Sequence, residues 1–94
     1  VSSISVWEAA LLVLRQRLTL ALPFDEWLER CESLPFLRFV PVDNRIATRS
    51  VHLPGDLRKD PADRLIVATA LELDAPLVTR DGKLRAYEHV STIW

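Results

Sequence analysis

Hydrophobic and polar positions change period several times along the chain, and the clearest change lies between Asp60 and Asp81, DPADRLIVATALELDAPLVTRD. Asp60 is a natural N-cap and Pro61 suits the first helical position, where its missing N–H costs nothing. Residues 64 to 73 are mostly strong helix formers, apolar on most sides, which predicts a largely buried helix. Asp74 and Pro76 close it. Pro76 to Thr79 is a short apolar run between turn residues, as in an interior strand. The helix rises roughly 20 Å and the strand returns, so Asp63 and Asp81 are expected at one edge. In open α/β sheets, ligands bind at the carboxyl edge of the strands.

The remaining pattern is similar in kind. Val1 to Ile4 reads as the tail of a strand. Ser5 and Glu8 form a capping box at the start of an apolar helix. Phe24, Trp27, Leu28 and Cys31 recur at helical spacing, predicting a helix from Phe24 to Ser33. Leu37 to Val42 reads as a strand, and Asp43 as the cap of a helix from Asn44 to Val51. Residues 53 to 59 form a polar loop. A short helix at Lys83 to Tyr87 leads to a last strand, Ser91 to Trp94. Alternating helices and short apolar strands predict an α/β fold with a mainly parallel sheet flanked by helices. Glu8, Asp60, Asp63 and Asp81 are expected to gather on its carboxyl edge.

Composition narrows the classes. With 94 residues, 49% hydrophobic and 27% charged, the chain has the makeup of one small globular domain. A formal net charge of -1 means that any nucleic-acid contact must come from a local basic patch. One cysteine, Cys31, excludes an internal disulfide and a Cys-rich zinc site, and fits a reducing, cytoplasmic setting. No apolar run is long enough for a membrane helix. Two glycines, Gly55 and Gly82, leave no Gly-rich phosphate loop.

Crowded carboxylates repel one another unless one is protonated or a cation neutralises them. With oxygen donors and no His or Cys cluster, the natural cation is Mg²⁺ or Mn²⁺. Arg58, Lys59, Arg64, Arg80 and Lys83 lie close to the acids in sequence and could hold a phosphodiester backbone. Each group also has an ordinary explanation. Asp60 with Asp63 makes a variant capping box, Asp81 before Gly82 is a turn pair, and the basic residues are solvated charges or ion-pair partners. His52 and His89 lack partners at ligand spacing.

The chain resembles the PIN-domain family, specifically the VapC-type toxins of bacterial toxin–antitoxin pairs. The matching segments are ISVWE at 4 to 8, DPADRLIVATA at 60 to 70, LVTRD at 77 to 81 and the closing HVSTIW. The resemblance implies a three-layer α/β domain, of which residues 1–94 would be a partial copy. The family's central first strand and its Asp would precede Val1. It implies a metal-dependent endoribonuclease using Mg²⁺ or Mn²⁺, with Glu8, Asp63 and Asp81 as catalytic acids and metal ligands and Asp60 as an auxiliary acid. Arg64, Arg80, Lys83 and Arg58 would hold the RNA substrate. A cognate antitoxin and a homodimer are the implied protein partners. The alternative is a truncated, non-catalytic remnant that binds an antitoxin or itself.

Overall fold

A computed structural model describes residues 1–55, 57 and 60–93. Asp56, Arg58, Lys59 and Trp94 lie outside the described residues, and with them the expectations placed on Arg58 and Lys59 and the end of the last strand. The chain forms two compact units, Val1–Pro41 and Val42–Trp94.

In the first unit, α1 spans Ser3–Leu14 and α2 spans Phe24–Glu32. The start of α1 corrects the expected Ser5 cap. Ser2 is the N-cap, and its Oγ accepts from the Ile4 N–H at 3.2 Å. Ser2 also makes a parallel bridge to Val40, with the Ser3 N–H donating to the Val40 carbonyl at 2.9 Å and the Val40 N–H to the Val1 carbonyl at 2.7 Å. Because α1 begins directly after this bridge, the expected strands at Val1–Ile4 and Leu37–Val42 shrink to that single pairing. Pro41, next to Val40, has no N–H with which to extend it. The earlier start puts Glu8 beyond the first turn, which holds no acidic residue. At the other end, Gln16 adopts a left-handed backbone (φ 57°). Its N–H donates to Val13 at 3.1 Å, and the Arg17 N–H to Leu12 at 2.9 Å, satisfying carbonyls that the helix leaves open.

The second unit begins with α3, Asn44–Val51, capped by Asp43, whose Oδ1 accepts from the Ile46 N–H at 2.9 Å. The next helix, α4, spans Pro61–Glu72, with Asp60 as cap and Pro61 at its start, as the sequence predicts. Val67, Ala68, Thr69 and Ala70 are buried in succession, so α4 is enclosed on all sides there. Asp74 (φ 49°) terminates it by the same left-handed device as Gln16: its N–H donates to Leu71 at 3.2 Å and the Ala75 N–H to Ala70 at 3.0 Å. Then come β1 (Leu77–Val78), α5 (Gly82–Ala86) and β2 (Thr92–Ile93). β1 and β2 pair in parallel, Leu77 opposite Thr92 and Val78 opposite Ile93.

Leu53, Leu57, Val67, Ala70, Leu84, Tyr87 and Val90 form the core of this unit, with Leu71 and Leu77 packed against it. The Tyr87 hydroxyl donates to the Pro54 carbonyl and ties the 53–57 loop to the core. The result is a helix-rich α/β chain with a small parallel sheet.

Candidate functional site

Three of the four acids singled out in the sequence stand at helix starts in the second unit. The Asp60 Oδ1 accepts from the N–H groups of Ala62 at 2.9 Å and Asp63 at 3.4 Å. Asp63 follows in the first turn of α4 and is half-buried. Asp81 caps α5: its Oδ1 accepts from Lys83 at 2.8 Å and Leu84 at 3.4 Å. Its own N–H donates to the Thr79 Oγ1 at 3.1 Å, which fixes the turn between β1 and α5. Unpaired N–H groups and the helix dipole favour negative charge at both places. Glu8 belongs to α1 of the first unit and is half-buried there.

Among the basic residues, Arg64 has a definite anchorage. Its Nε donates to the Ser50 carbonyl at 2.9 Å and its Nη2 to the Val51 carbonyl at 3.4 Å, which satisfies the C-terminal end of α3. This packs the start of α4 against the end of α3. Arg80 and Lys83 are exposed on either side of Asp81. Burial pushes the Tyr87 hydroxyl above its ordinary pKa, and the Arg64 charge offsets part of that rise. The phenol therefore stays neutral at physiological pH and serves as a strap to Pro54.

The oxygen-only donor chemistry of Asp60, Asp63 and Asp81 matches a hard divalent cation. Among the described residues, no three His, Cys, Asp or Glu side chains are gathered so as to hold a metal ion. Asp60 and Asp81 each turn Oδ1 toward their own helix.

The family profile of the PIN domain matches residues 1–90. The chain belongs to the PIN-domain family. That match covers both compact units, so the family's fold extends through α1 as well as through α4 and α5. This PIN chain is also 40% identical over 96 aligned positions to ribonuclease VapC22 of Mycobacterium tuberculosis, covering all of this chain and 72% of that protein. No solved structure gives a significant match. Among the described residues, no helix of this PIN chain is long and apolar enough to cross a membrane.

Sequence reasoning overlooked one polar feature of the second unit. Asn44, Arg45, Thr48, Arg49 and His52 line one groove with Glu72. The signal was present in NRIATRSVH, where Arg45, Arg49 and His52 recur at helical spacing.

Proposed function

We propose that this chain is a partial PIN-like domain carrying the carboxylates of a metal-dependent endoribonuclease, the toxin component of a toxin–antitoxin pair. The observation that carries this reading is the 40% identity, over the whole chain, to a protein named as a ribonuclease. The substrate is RNA and the bond cleaved is its phosphodiester. Glu8, Asp63 and Asp81 are the proposed catalytic acids and the ligands of Mg²⁺ or Mn²⁺, with Asp60 beside them. A divalent ion in such a site supplies charge neutralisation at the phosphate and a more acidic water. The chain's own part is to hold Asp60, Asp63 and Asp81 at helix starts and to offer Arg80, Lys83, Arg64 and Arg58 to the phosphates. The proposed setting is the cytoplasm, with a cognate antitoxin as protein partner and a homodimer as the assembly.

A second reading is favoured by the apolar surface of the first unit. Trp7 is 54% exposed, Leu14 77% and Phe36 79%. Exposed apolar side chains that gather into one patch mark an association surface, as expected of a non-catalytic module that binds an antitoxin or itself. One experiment separates the two. Purified chain is incubated with single-stranded RNA in Mg²⁺, in Mn²⁺ and in EDTA. Endonucleolytic fragments that need the metal support the nuclease; intact RNA under all three conditions, from a folded chain that self-associates, supports the module.

A further inference from the structure

We propose that the outer face of α3 is a track for single-stranded RNA, binding the backbone through Arg45 and Arg49 and a base against His52. This inference rests on the ribonuclease reading and adds a binding surface to it. The groove between α3 and the end of α4 has a volume of about 480 Å³. Glu72, on α4, spans it. Its Oε2 lies 3.6 Å from the Arg45 Nε and its Oε1 3.3 Å from the Arg49 Nη1. One carboxylate thus holds two guanidiniums, and one positive charge is left over. Each guanidinium has five N–H donors. Arg45 is 82% exposed and Arg49 43%, so both side chains can be reached from solvent. Asn44 and Thr48 add neutral donors along the same groove.

His52 supplies the complementary element. Its Nδ1 donates to the Thr48 carbonyl at 2.9 Å, which fixes the ring at the end of α3 while leaving it exposed. An anchored imidazole is a stacking platform for an unpaired base. Cationic donors with a ring at one end suit a nucleic acid better than an acidic peptide, which would have no use for the ring.

The direction of the track also fits. Arg64, in the first turn of α4, bonds the C-terminal carbonyls of α3, whereas Glu72, at the other end of α4, bonds Arg45 and Arg49. The helices are therefore antiparallel, and the His52 end of the track lies toward the end of α4 that carries Asp60 and Asp63. Asp63 and Glu72 are about 14 Å apart along that helix. A strand bound along α3 would be led toward those acids.

The test is binding of a fluorescent single-stranded RNA oligonucleotide across a salt series, in EDTA to prevent cleavage, followed by a cleavage assay in Mg²⁺. Each phosphate contact on a single strand contributes about 0.7 to the slope of log affinity against log salt. The double variant R45Q/R49Q is expected to weaken binding about tenfold and to reduce the slope by about 1.4. R45K/R49K should keep most of the slope, and Glu72→Gln should tighten binding by removing the competing carboxylate. Circular dichroism verifies that the exposed substitutions leave the fold intact. Unchanged affinity and slope in R45Q/R49Q would overturn the track while metal-dependent cleavage left the ribonuclease reading standing. A track-dependent slope without any cleavage would support the track and overturn the ribonuclease reading. Failure of the wild type to bind RNA, or displacement of RNA by a poly-glutamate peptide at equal concentration, would overturn the track.

Discussion

Replacing Asp81 by Asn and by Ala separates what its carboxylate does for folding from what it does for chemistry. Its Oδ1 accepts from two backbone N–H groups, at 2.8 and 3.4 Å, at the start of a helix of five residues. A helix that short has no stability of its own. It is held by its cap and by Leu84, 5% exposed, which anchors it in the core. Asn caps as well as Asp, so Asp81→Asn keeps the cap and gives up the charge, whose attraction to the helix dipole is worth about 0.3–1 kcal/mol. Asp81→Ala also loses the side-chain bonds, at a further cost of about 1 kcal/mol. In a domain of this size that step corresponds to about 4–8 °C in melting temperature. Thermal melting without metal should therefore order the proteins wild type, Asn, Ala, with the larger drop at Ala. RNA cleavage in Mg²⁺ should be lost in both variants. Equal melting of the two variants would refute the capping role. Cleavage by Asp81→Asn at the wild-type rate would refute the chemical role and leave Asp81 a cap only.

Asp74→Gly should stabilise the chain by about 1 kcal/mol in chemical denaturation, because it relieves a left-handed residue (φ 49°) and removes a negative charge from a helix C-terminus. Gly55→Ala should destabilise by about 1–2 kcal/mol, since Gly55 has φ +73° and an added Cβ would lie 3.3 Å from the His89 ring. The raised pKa of Tyr87 makes its contribution alkali-sensitive. A group whose folded pKa exceeds its unfolded value gives stability that is full below the unfolded value, near 10, and is lost as pH rises through the folded one. Melting curves above pH 10 should therefore converge for wild type and Tyr87→Phe, while below pH 9 wild type should melt higher because it keeps the bond to Pro54.

The helices were legible where a capping residue and an apolar periodicity agree. Asp43 before Asn44 and Asp60 before Pro61 placed α3 and α4 at their observed starts. At α1 the capping box pointed to Ser5, and backbone pairing between Ser2 and Val40 decided in favour of Ser2. That choice depends on a residue distant in sequence, which local pattern does not contain. The strands were overextended for the same reason: apolar runs signal burial, but their paired length depends on the partner, here two residues each in β1 and β2. Of the site, the positions of Asp60 and Asp63 at the start of α4 followed from capping chemistry, whereas Asp81 reads from sequence as a turn residue after a strand and proves to cap α5. Glu8 did not follow, because its place depended on the misread start of α1. The anchorage of Arg64 on α3 carbonyls was hidden, since it joins helices whose packing the sequence does not state.

The central claim is that the acids of this PIN chain serve cleavage of RNA. It is tested most directly by comparing the wild type with Asp63→Asn for Mg²⁺-dependent cleavage of single-stranded RNA, with melting measured on the same samples. Asp63→Asn keeps the side-chain volume, and its cost to stability should stay within about 1 kcal/mol. The account predicts fragments from the wild type in Mg²⁺, none in EDTA, and none from a folded Asp63→Asn chain. Equal cleavage by both proteins, or cleavage indifferent to EDTA, would contradict it.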